Sequence, residues 1–390
     1  MRRVAVVGVG LHKYGKFDQS VTDLIGDAVG RALDDAGVSW SQIEAISSAS
    51  SRSGGRGWGL NGNDIVRTFG QSGVPVYNLS AGCASGANAF HTAYSMVAGG
   101  VYDVMLVLGG EKLPKGMIQY AASKEDTDAE YVKQRCVGVT GPNVWALEAN
   151  RRIAELGTTP ETFAQVSVKS RILARDNEYA RYRDELTVDG VLASPIISEP
   201  LHLYEVCPVS DGAAAAVICA EERLSEMKSS PVWVAGCAVA TKLWGDAIPS
   251  DVAGFAGQQG LHHSEITGAV AKALLQAGVG VKELDLVELA DNSVFHELQV
   301  PELLGMCEPG ESDSLLVKGQ TMPDGRMPIN PSGGFLSFGE ATMAMGIFQV
   351  FEAVHQLRGW SGKRQVPGAK LALTQTMGLG GNAAAIVLKS

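Results

Sequence analysis

Charged side chains are scarce in this sequence, and they do not gather into a basic run. Asp, Glu, Lys and Arg make up 19% of the 390 residues, and the formal net charge is −10 at pH 7. A protein that binds nucleic acid through its phosphates needs a basic patch. The composition therefore argues against nucleic acid as a partner.

Paired cysteines and long apolar runs are also missing. The six cysteines, at positions 83, 136, 207, 219, 237 and 307, form no Cys-x-x-Cys pair, which argues against a bound metal and favours a reducing compartment. No apolar run is long enough to span a bilayer. The N-terminus opens as a strand, Val4 to Val7, without the apolar segment of a signal peptide. We therefore expect a cytoplasmic protein that does not enter a membrane.

Glycine and apolar residues are abundant instead. Hydrophobic residues account for 45% of the chain, and 47 residues are glycine. This composition is typical of a well-packed α/β enzyme with many tight turns, and the length suggests two or three domains.

An internal repeat indicates a duplicated unit. Residues 28–38 align without a gap on residues 269–279, a separation of 241 (269 − 28), and Ile43 and Ile46 then fall on Leu284 and Val287. Each copy is expected to form a parallel sheet with covering helices. The best boundary between the copies is Lys228–Pro231, after which a strand begins at Val232.

The stretch from residue 74 to 112 predicts a strand, a tight turn at Cys83, a helix to Ala98 and a buried strand at 104–108. Small residues on both sides of Cys83 allow a sharp turn that brings a helix N-terminus to the thiol, which would lower its pKa and favour the nucleophilic thiolate. The alternative is a small, buried, unreactive cysteine.

Residues 78–86, with Gly109-Gly110-Glu111-Lys112, resemble the nucleophile region of the thiolase superfamily. Further matches follow in family order: Ser210-Asp211-Gly212-Ala213-Ala214, Asn330-Pro331-Ser332-Gly333-Gly334 and Gly378-Leu379-Gly380-Gly381. Within the superfamily the chain is more similar to the sterol-carrier-type and archaeal thiolases than to the biosynthetic enzymes.

The resemblance implies an α/β thiolase fold. Two duplicated βαβαβαββ halves, 1–230 and 231–390, would stack in a five-layer αβαβα arrangement, with a loop domain at about 113–200. The N-termini of two central helices would converge, one opened by Cys83 and the other by the Glu340 region. The family also implies a homodimer core.

The sequence departs from the family at three positions. Glu340 stands where the family has the His that activates the nucleophile, Ala290 where it has a His or Asn, and Gln375-Thr376 where it has a second Cys or a His-Asn pair. The nucleophile is retained without its usual partners, which favours an active enzyme with altered chemistry.

Several residues are candidates for the missing roles. Glu340 is either a base or a cap of its helix, and burial against Phe335 and Phe338 would oppose the helix dipole in setting its pKa. Asn292 could supply a donor. His296 could act as a base or be a core histidine.

Three other candidate sites come from the resemblance or from local pattern. Gly378 lies in the turn that supplies a backbone donor in the family, although an ordinary strand exit also uses Gly. Trp244 and Phe255 either line the pantetheine channel or belong to an interface. His262-His263 is interpreted as a solvated helix start without an acidic or Cys partner at metal spacing.

The first functional hypothesis is a thiolase-like acyltransferase that cleaves a 3-oxoacyl-CoA with CoA through an acyl-cysteine at Cys83. Coenzyme A would be a substrate and not a permanent cofactor. The missing histidines suggest an unusual substrate. The chain also resembles the thiolase subunits that act on 2-benzoylsuccinyl-CoA, which implies an aromatic or dicarboxylic substrate of that kind. A small zinc-ribbon/OB-fold partner is expected from this branch of the superfamily.

Two alternative functions remain open. One is a retro-aldolase acting on a β-hydroxyacyl-CoA, which Gly339-Glu340-Ala341 favours, and the other is a non-catalytic CoA-ligand-binding subunit.

Overall fold

The computed structural model describes residues 2–50, 59–114, 140–243, 263–378 and 380–390. The strands are β1 (Val4–Gly15), β2 (Ala45–Ala49), β3 (Val76–Leu79), β4 (Val104–Glu111), β5 (Ile196–Ser198), β6 (Leu201–His202), β7 (Asp211–Ala220), β8 (Val232–Thr241), β9 (Leu286–Glu288), β10 (Leu371–Gly378) and β11 (Asn382–Lys389). The helices are α1 (Val21–Ala36), α2 (Asn61–Phe69), α3 (Ser85–Ala98), α4 (Gly141–Leu156), α5 (Pro160–Ala174), α6 (Val188–Leu192), α7 (Ser264–Ala277), α8 (Val294–Leu303), α9 (Glu311–Val317), α10 (Gly334–Phe338) and α11 (Ile347–Arg358).

The strand order repeats in the two halves of the chain. Nine of the described strands form one sheet in the order β3-β2-β4-β7-β1-β8-β11-β10-β9, and β5 pairs with β6 in a separate two-stranded sheet. In the first half β2, β4, β7 and β1 are neighbours, and in the second half β9, β10, β11 and β8 follow in the same order. The halves join where β1 and β8 pair antiparallel, with Ala5 opposite Trp233. The predicted duplication is therefore confirmed at the level of topology.

The register of the repeat also holds. The short 3₁₀ helix Trp40–Gln42 has its counterpart in Val281–Glu283, at the same separation of 241 residues (281 − 40). Two details differ from the prediction. The sheets are mixed, because β7 and β11 run antiparallel to their neighbours. The third strand of the second half is reduced to an isolated bridge between Val287 and Ile329.

The layers follow from which faces are apolar. Helices α3 and α11 each pack against strands of both halves, so they form the middle layer. Helices α1 and α2 cover the outer face of the first half, and α7 covers that of the second. All ten residues of β7 are buried, as expected for a strand covered on both faces. This is the five-layer thiolase arrangement.

The residues at the two ends of α1 determine where this helix begins and ends. Ser20 and Asp23 form a reciprocal capping box at its start, and Gly37 ends it with a φ of 72°. Capping satisfies the backbone groups that a helix end leaves unpaired. The buried face consists of apolar residues at helical spacing, including Leu24, Ala28 and Ala32.

Between β4 and β7 the described residues include the helices α4, α5 and α6. Helices α4 and α5 pack with α8 and α10 around a separate apolar cluster that includes Phe163, Phe295 and Leu298. Through this cluster the segment packs against the second half of the chain, on the side where the candidate site lies. Within the described ranges, no helix is both long and apolar enough to cross a membrane.

Candidate active site

Cys83 lies in a tight turn directly before the central helix α3. The turn needs Gly82, which has a φ of 57°, a left-handed conformation that glycine adopts without steric cost. Ser85 locks the turn, because its Oγ accepts from the Ala81 amide at 2.8 Å and donates to the Gly82 carbonyl at 2.6 Å. Cys83 remains partly exposed, at the edge of the middle core.

Glu340 reaches the site from the second half, and it does not cap a helix. Helix α11 begins at Ile347, seven residues later (347 − 340), so the predicted helix-opening position of Glu340 is wrong. Instead Glu340 forms an isolated parallel bridge with Val209. Its amide donates to the Pro208 carbonyl at 2.6 Å, and its carbonyl accepts from the Ser210 amide at 2.7 Å. A long-range backbone pairing therefore fixes this residue.

Three side chains converge on the buried Glu340 carboxylate. The thiols of Cys83 and Cys207 lie close enough to it to lower its pKa, and the Asn292 Nδ2 group donates to its Oε1 atom. Glu340 is 5% exposed and Asn292 is 4% exposed, so these contacts are largely screened from water. The structure thus brings together the predicted residues Cys83, Asn292 and Glu340.

Burial determines how this cluster titrates. It raises the pKa of Glu340 to about 7, although the hydrogen bonds from the two thiols and from Asn292 act in the opposite direction. Burial and the neighbouring Glu340 charge raise the pKa of the Cys83 thiol well above its usual range. The sequence predicts that the helix dipole lowers the thiol pKa, and desolvation and the nearby anion act in the opposite direction. The resting pair is a thiol next to a carboxyl group that titrates near neutrality.

The side-chain amide of Asn292 is oriented by the acceptor of its Nδ2 group. Its Nδ2 group contacts Glu340 and lies 3.9 Å from the Cys207 Sγ atom. Its Oδ1 atom is buried and has no hydrogen-bond partner among the described residues. A buried acceptor without a partner is costly, so a bound group or water is the natural partner for this oxygen.

Gly378, at the end of β10, lies against the Cys83 turn. A Cβ atom on this residue would overlap the carbonyl oxygen of Ala81 and would lie 2.8 Å from the amide nitrogen of Ala84. Only glycine permits this approach of backbone to backbone. The sequence-predicted site residue is therefore adjacent to the nucleophile turn.

His296 has a different environment. Its Nδ1 atom accepts from the Ser293 amide at 3.2 Å, as part of the cap of α8. Its ring packs edge-on against Trp145, with centroids 5.6 Å apart, and burial lowers its pKa to about 3. Within the described parts of the chain, no hydrogen bond connects it to Cys83 or Glu340. These contacts favour the core interpretation of this histidine.

Sequence reasoning missed two residues of the cluster. Cys207 lies next to Glu340, in the segment before β7. Its position four residues ahead of the Asp211-Gly212 motif is the sequence signal that could have identified it as a site residue. Glu111, at the end of β4, is buried and accepts from Thr342 Oγ1 at 2.9 Å. Burial raises the pKa of Glu111 to about 7, and its charge adds to the upward shift of the Cys83 pKa.

The remaining predicted residues divide into two groups. Trp244, Phe255 and His262 lie outside the described residues. His263 is buried, which corrects the prediction of a solvated helix start. Its Nε2 atom lies 2.9 Å from Glu148 Oε2, and its Nδ1 atom lies 3.6 Å from Glu265 Oε1. The described residues contain no group of three or more His, Cys, Asp or Glu side chains placed to hold a metal ion.

A thiol next to a carboxyl group, held where the two copies of a doubled α/β fold meet, defines an acyltransferase of the thiolase type. The chain belongs to the thiolase family. The thiolase N-terminal domain family matches residues 4–222, and the thiolase C-terminal domain-like family matches residues 253–390.

Curated relatives cover nearly the whole chain. The acetyl-CoA acetyltransferase of Methanothermobacter thermautotrophicus is 33% identical over 395 residues, covering 99% of both chains. Sterol carrier protein 2 of Gallus gallus is 30% identical over 97% of this chain and 70% of its own length. The benzoylsuccinyl-CoA thiolase subunit BbsB of Thauera aromatica is 30% identical over 97% of this chain and 95% of its own.

Solved structures share the fold over the full length. An Ltp2-ChsH2(DUF35) aldolase superposes with a TM-score of 0.83 at 25% identity, covering 100% of this chain and 98% of its own. Human mitochondrial 3-ketoacyl-CoA thiolase superposes with a TM-score of 0.72 at 17% identity, covering 100% and 99%. The second likeness supports the fold alone.

Proposed function

We propose that this chain cleaves a 3-oxoacyl-CoA with CoA, through an acyl-cysteine on Cys83 and with Glu340 as the acid and base. The observation that carries the proposal is that the Cys83 thiol and the Glu340 carboxylate lie next to each other, close enough for each to shift the pKa of the other. A nucleophilic thiol needs an adjacent base when its own pKa is high. A carboxyl group with a pKa near 7 can both accept and return a proton at neutral pH.

The first half-reaction forms the acyl-enzyme. Glu340 takes the proton of Cys83 as the sulfur attacks the 3-oxo carbon. The bond between Cα and that carbon then breaks, and its electron pair stays on Cα as an enolate of the departing acyl-CoA. Glu340 donates its proton to this Cα atom. The acyl group is left as a thioester on Cys83, and Glu340 is again a carboxylate.

The second half-reaction returns the enzyme to its starting state. Glu340 takes the proton of the CoA thiol, and the CoA sulfur attacks the acyl-cysteine carbonyl. The bond from carbon to the Cys83 sulfur breaks, and the sulfur recovers a proton from Glu340. One carboxyl group therefore serves both halves in place of the two separate partners that the family uses.

Two further residues have assigned roles in this proposal. The backbone amide of Gly378 donates to the oxyanion that develops at the carbonyl, because this residue lies against the Cys83 turn. Asn292 orients the carboxylate of Glu340 through Nδ2 and leaves its Oδ1 atom to accept from a bound group.

The substrate and partner are proposed from the relatives. A relative that covers 97% of this chain is named as a benzoylsuccinyl-CoA thiolase subunit, so 2-benzoylsuccinyl-CoA is the proposed substrate. The same name describes a subunit, and the aldolase neighbour is solved together with a DUF35 protein. A small zinc-ribbon/OB-fold partner of the DUF35 type and a homodimeric core complete the proposed assembly.

The test incubates the protein with 2-benzoylsuccinyl-CoA or acetoacetyl-CoA, with and without CoA, alone and with the co-purified partner. CoA-dependent release of two acyl-CoA products is expected. Mass spectrometry should find an acyl group on Cys83 when CoA is left out. Cys83→Ala should abolish both signals, whereas the buried thiol variant Cys219→Ala should keep them. Undiminished cleavage by Cys83→Ala would refute the acyl-enzyme.

A retro-aldolase is the second candidate, favoured by the aldolase identity of the structural neighbour. It would split a β-hydroxyacyl-CoA into a carbonyl compound and an acyl-CoA, without consuming CoA. Glu340 would then take the proton of the substrate hydroxyl, and Cys83 would be dispensable. CoA-independent product formation that survives Cys83→Ala would establish this activity.

A further inference from the structure

Cys207 is held at the candidate site by its main chain. Its amide donates to the Asn292 carbonyl at 3.0 Å, and the next residue, Pro208, accepts from the Glu340 amide at 2.6 Å. The segment before β7 is therefore fixed against both Asn292 and Glu340. These backbone contacts fix the main-chain position of Cys207 beside both residues.

The thiol of Cys207 is suited to donate and unsuited to attack. It is 8% exposed, and its Sγ atom lies 3.9 Å from the Asn292 Nδ2 group that donates to the Glu340 carboxylate. Burial and the Glu340 charge raise the pKa of Cys207 well above the usual range of a thiol, so it stays protonated at neutral pH. A protonated sulfur next to a carboxylate offers it an S–H donor.

We propose that Cys207 is a positioning residue for the base, an inference that rests on the proposed roles of Cys83 and Glu340. Its S–H group donates to the Glu340 carboxylate, fixes the orientation of that group together with Asn292, and stabilises its charged form. A hydrogen bond to the charged form of an acid keeps that form populated. Glu340 is thereby held as a carboxylate, ready to take the proton of Cys83, at a pH where burial alone would leave it protonated.

The test compares variants that keep or remove the donor. Cys207→Ser retains a donor at the same position, whereas Cys207→Ala and the bulkier Cys207→Val remove it. Cys219→Ala is the matched control, because Cys219 is a buried cysteine in the outer core of the first half. Circular dichroism of all four variants identifies those that fold, and either donor-free variant suffices.

The readout is the rate at which iodoacetamide alkylates Cys83 as a function of pH, followed by peptide mass spectrometry. The Cys83 sulfur displaces iodide only after losing its proton within the Cys83–Glu340 pair, so the midpoint of the rate reports the first deprotonation of that pair. Because no acyl-CoA is needed, the result is independent of the acyl-transfer assay. A failure of this inference is thus distinguishable from a failure of the proposed function.

Removal of the donor is expected to move the midpoint upward by about one pH unit, the usual size of a hydrogen bond to a charged group. The low-pH limb of kcat/KM should move by the same amount, with little change in KM. Cys207→Ser and Cys219→Ala should stay close to wild type. An unchanged midpoint in the donor-free variants, or an equal shift in Cys207→Ser, would overturn the assignment, since a packing role predicts one of these results.

Discussion

The thiol of Cys83 lies next to the carboxylate of Glu340, a residue from the other half of the duplicated chain. Each half supplies one member of the pair, so neither half has the site alone. The Cys83 turn is fixed by local hydrogen bonds, and Glu340 is fixed by its backbone pairing with the segment before β7. The distance between nucleophile and base is therefore set by how the halves pack, at the two central helices.

Replacing the proposed base, Glu340, should lower kcat/KM and remove its dependence on pH below neutrality. Glu340 must be deprotonated to accept the proton of Cys83, and burial raises its pKa to about 7. In wild type kcat/KM should therefore fall as the pH drops below about 7. Glu340→Gln should lower kcat/KM by roughly 10²–10⁴-fold and flatten this limb, as measured by initial rates between pH 5.5 and 9.

The variant Glu111→Gln distinguishes which of the two buried carboxyl groups causes the low-pH limb. The test is needed because burial also raises the pKa of Glu111 to about 7. This variant should retain the low-pH limb. Loss of the limb in Glu111→Gln and its survival in Glu340→Gln would assign the base to Glu111 instead.

Adding one methyl group at Gly378 should disturb the nucleophile turn. A Cβ atom there would overlap the Ala81 carbonyl oxygen, so the turn or β10 must move. Displacement of a reacting group by about 1 Å can cost roughly 10²-fold in rate, and we expect a kcat loss of that order for Gly378→Ala. Gly30→Ala is the control, since nothing lies within 4 Å of its added Cβ. Equal kcat values for both variants would show that Gly378 has no part in positioning the turn.

The local elements of this fold were predictable, and the long-range contacts of the site were not. Helix α1 follows from apolar residues at helical spacing and from its closing Gly37, which are signals within one segment. The family resemblance implies a helix start at Glu340, but the pairing of this residue with Val209 depends on a segment far away in the chain. Cys207 was missed for the same reason, since only tertiary packing brings it to the carboxylate.

His296 should prove to be a stabilising residue and not a catalytic one. Its Nδ1 atom satisfies the Ser293 amide, and its ring fills a buried space next to Trp145. Truncation in His296→Ala leaves both a cavity and an unpaired amide, which should lower the free energy of unfolding by about 2–4 kcal/mol. Urea denaturation measures this loss.

The conservative variant His296→Asn keeps an acceptor near the Ser293 amide and should recover part of the stability. The folded fraction of either variant should keep kcat within about threefold of wild type, in the range of an indirect effect. A kcat loss of 10²-fold or more in His296→Asn, with stability retained, would instead assign a catalytic role to this histidine.

The buried pair of His263 and Glu148 should make stability depend on pH in the alkaline range. The carboxylates of Glu148 and Glu265, which accept hydrogen bonds from the His263 ring, raise its pKa to about 9 against the opposing effect of burial, and Lys242 lies 3.2 Å from Glu265. A histidine whose folded pKa exceeds its unfolded value of about 6.5 stabilises the fold fully below pH 6.5 and loses this contribution as the pH rises through 9. The shift corresponds to about 3 kcal/mol, because one pKa unit is about 1.4 kcal/mol.

The melting temperature should therefore fall between pH 7 and 10 in wild type, and it should fall much less in His263→Gln. Parallel curves for the two proteins would show that His263 is not the group responsible.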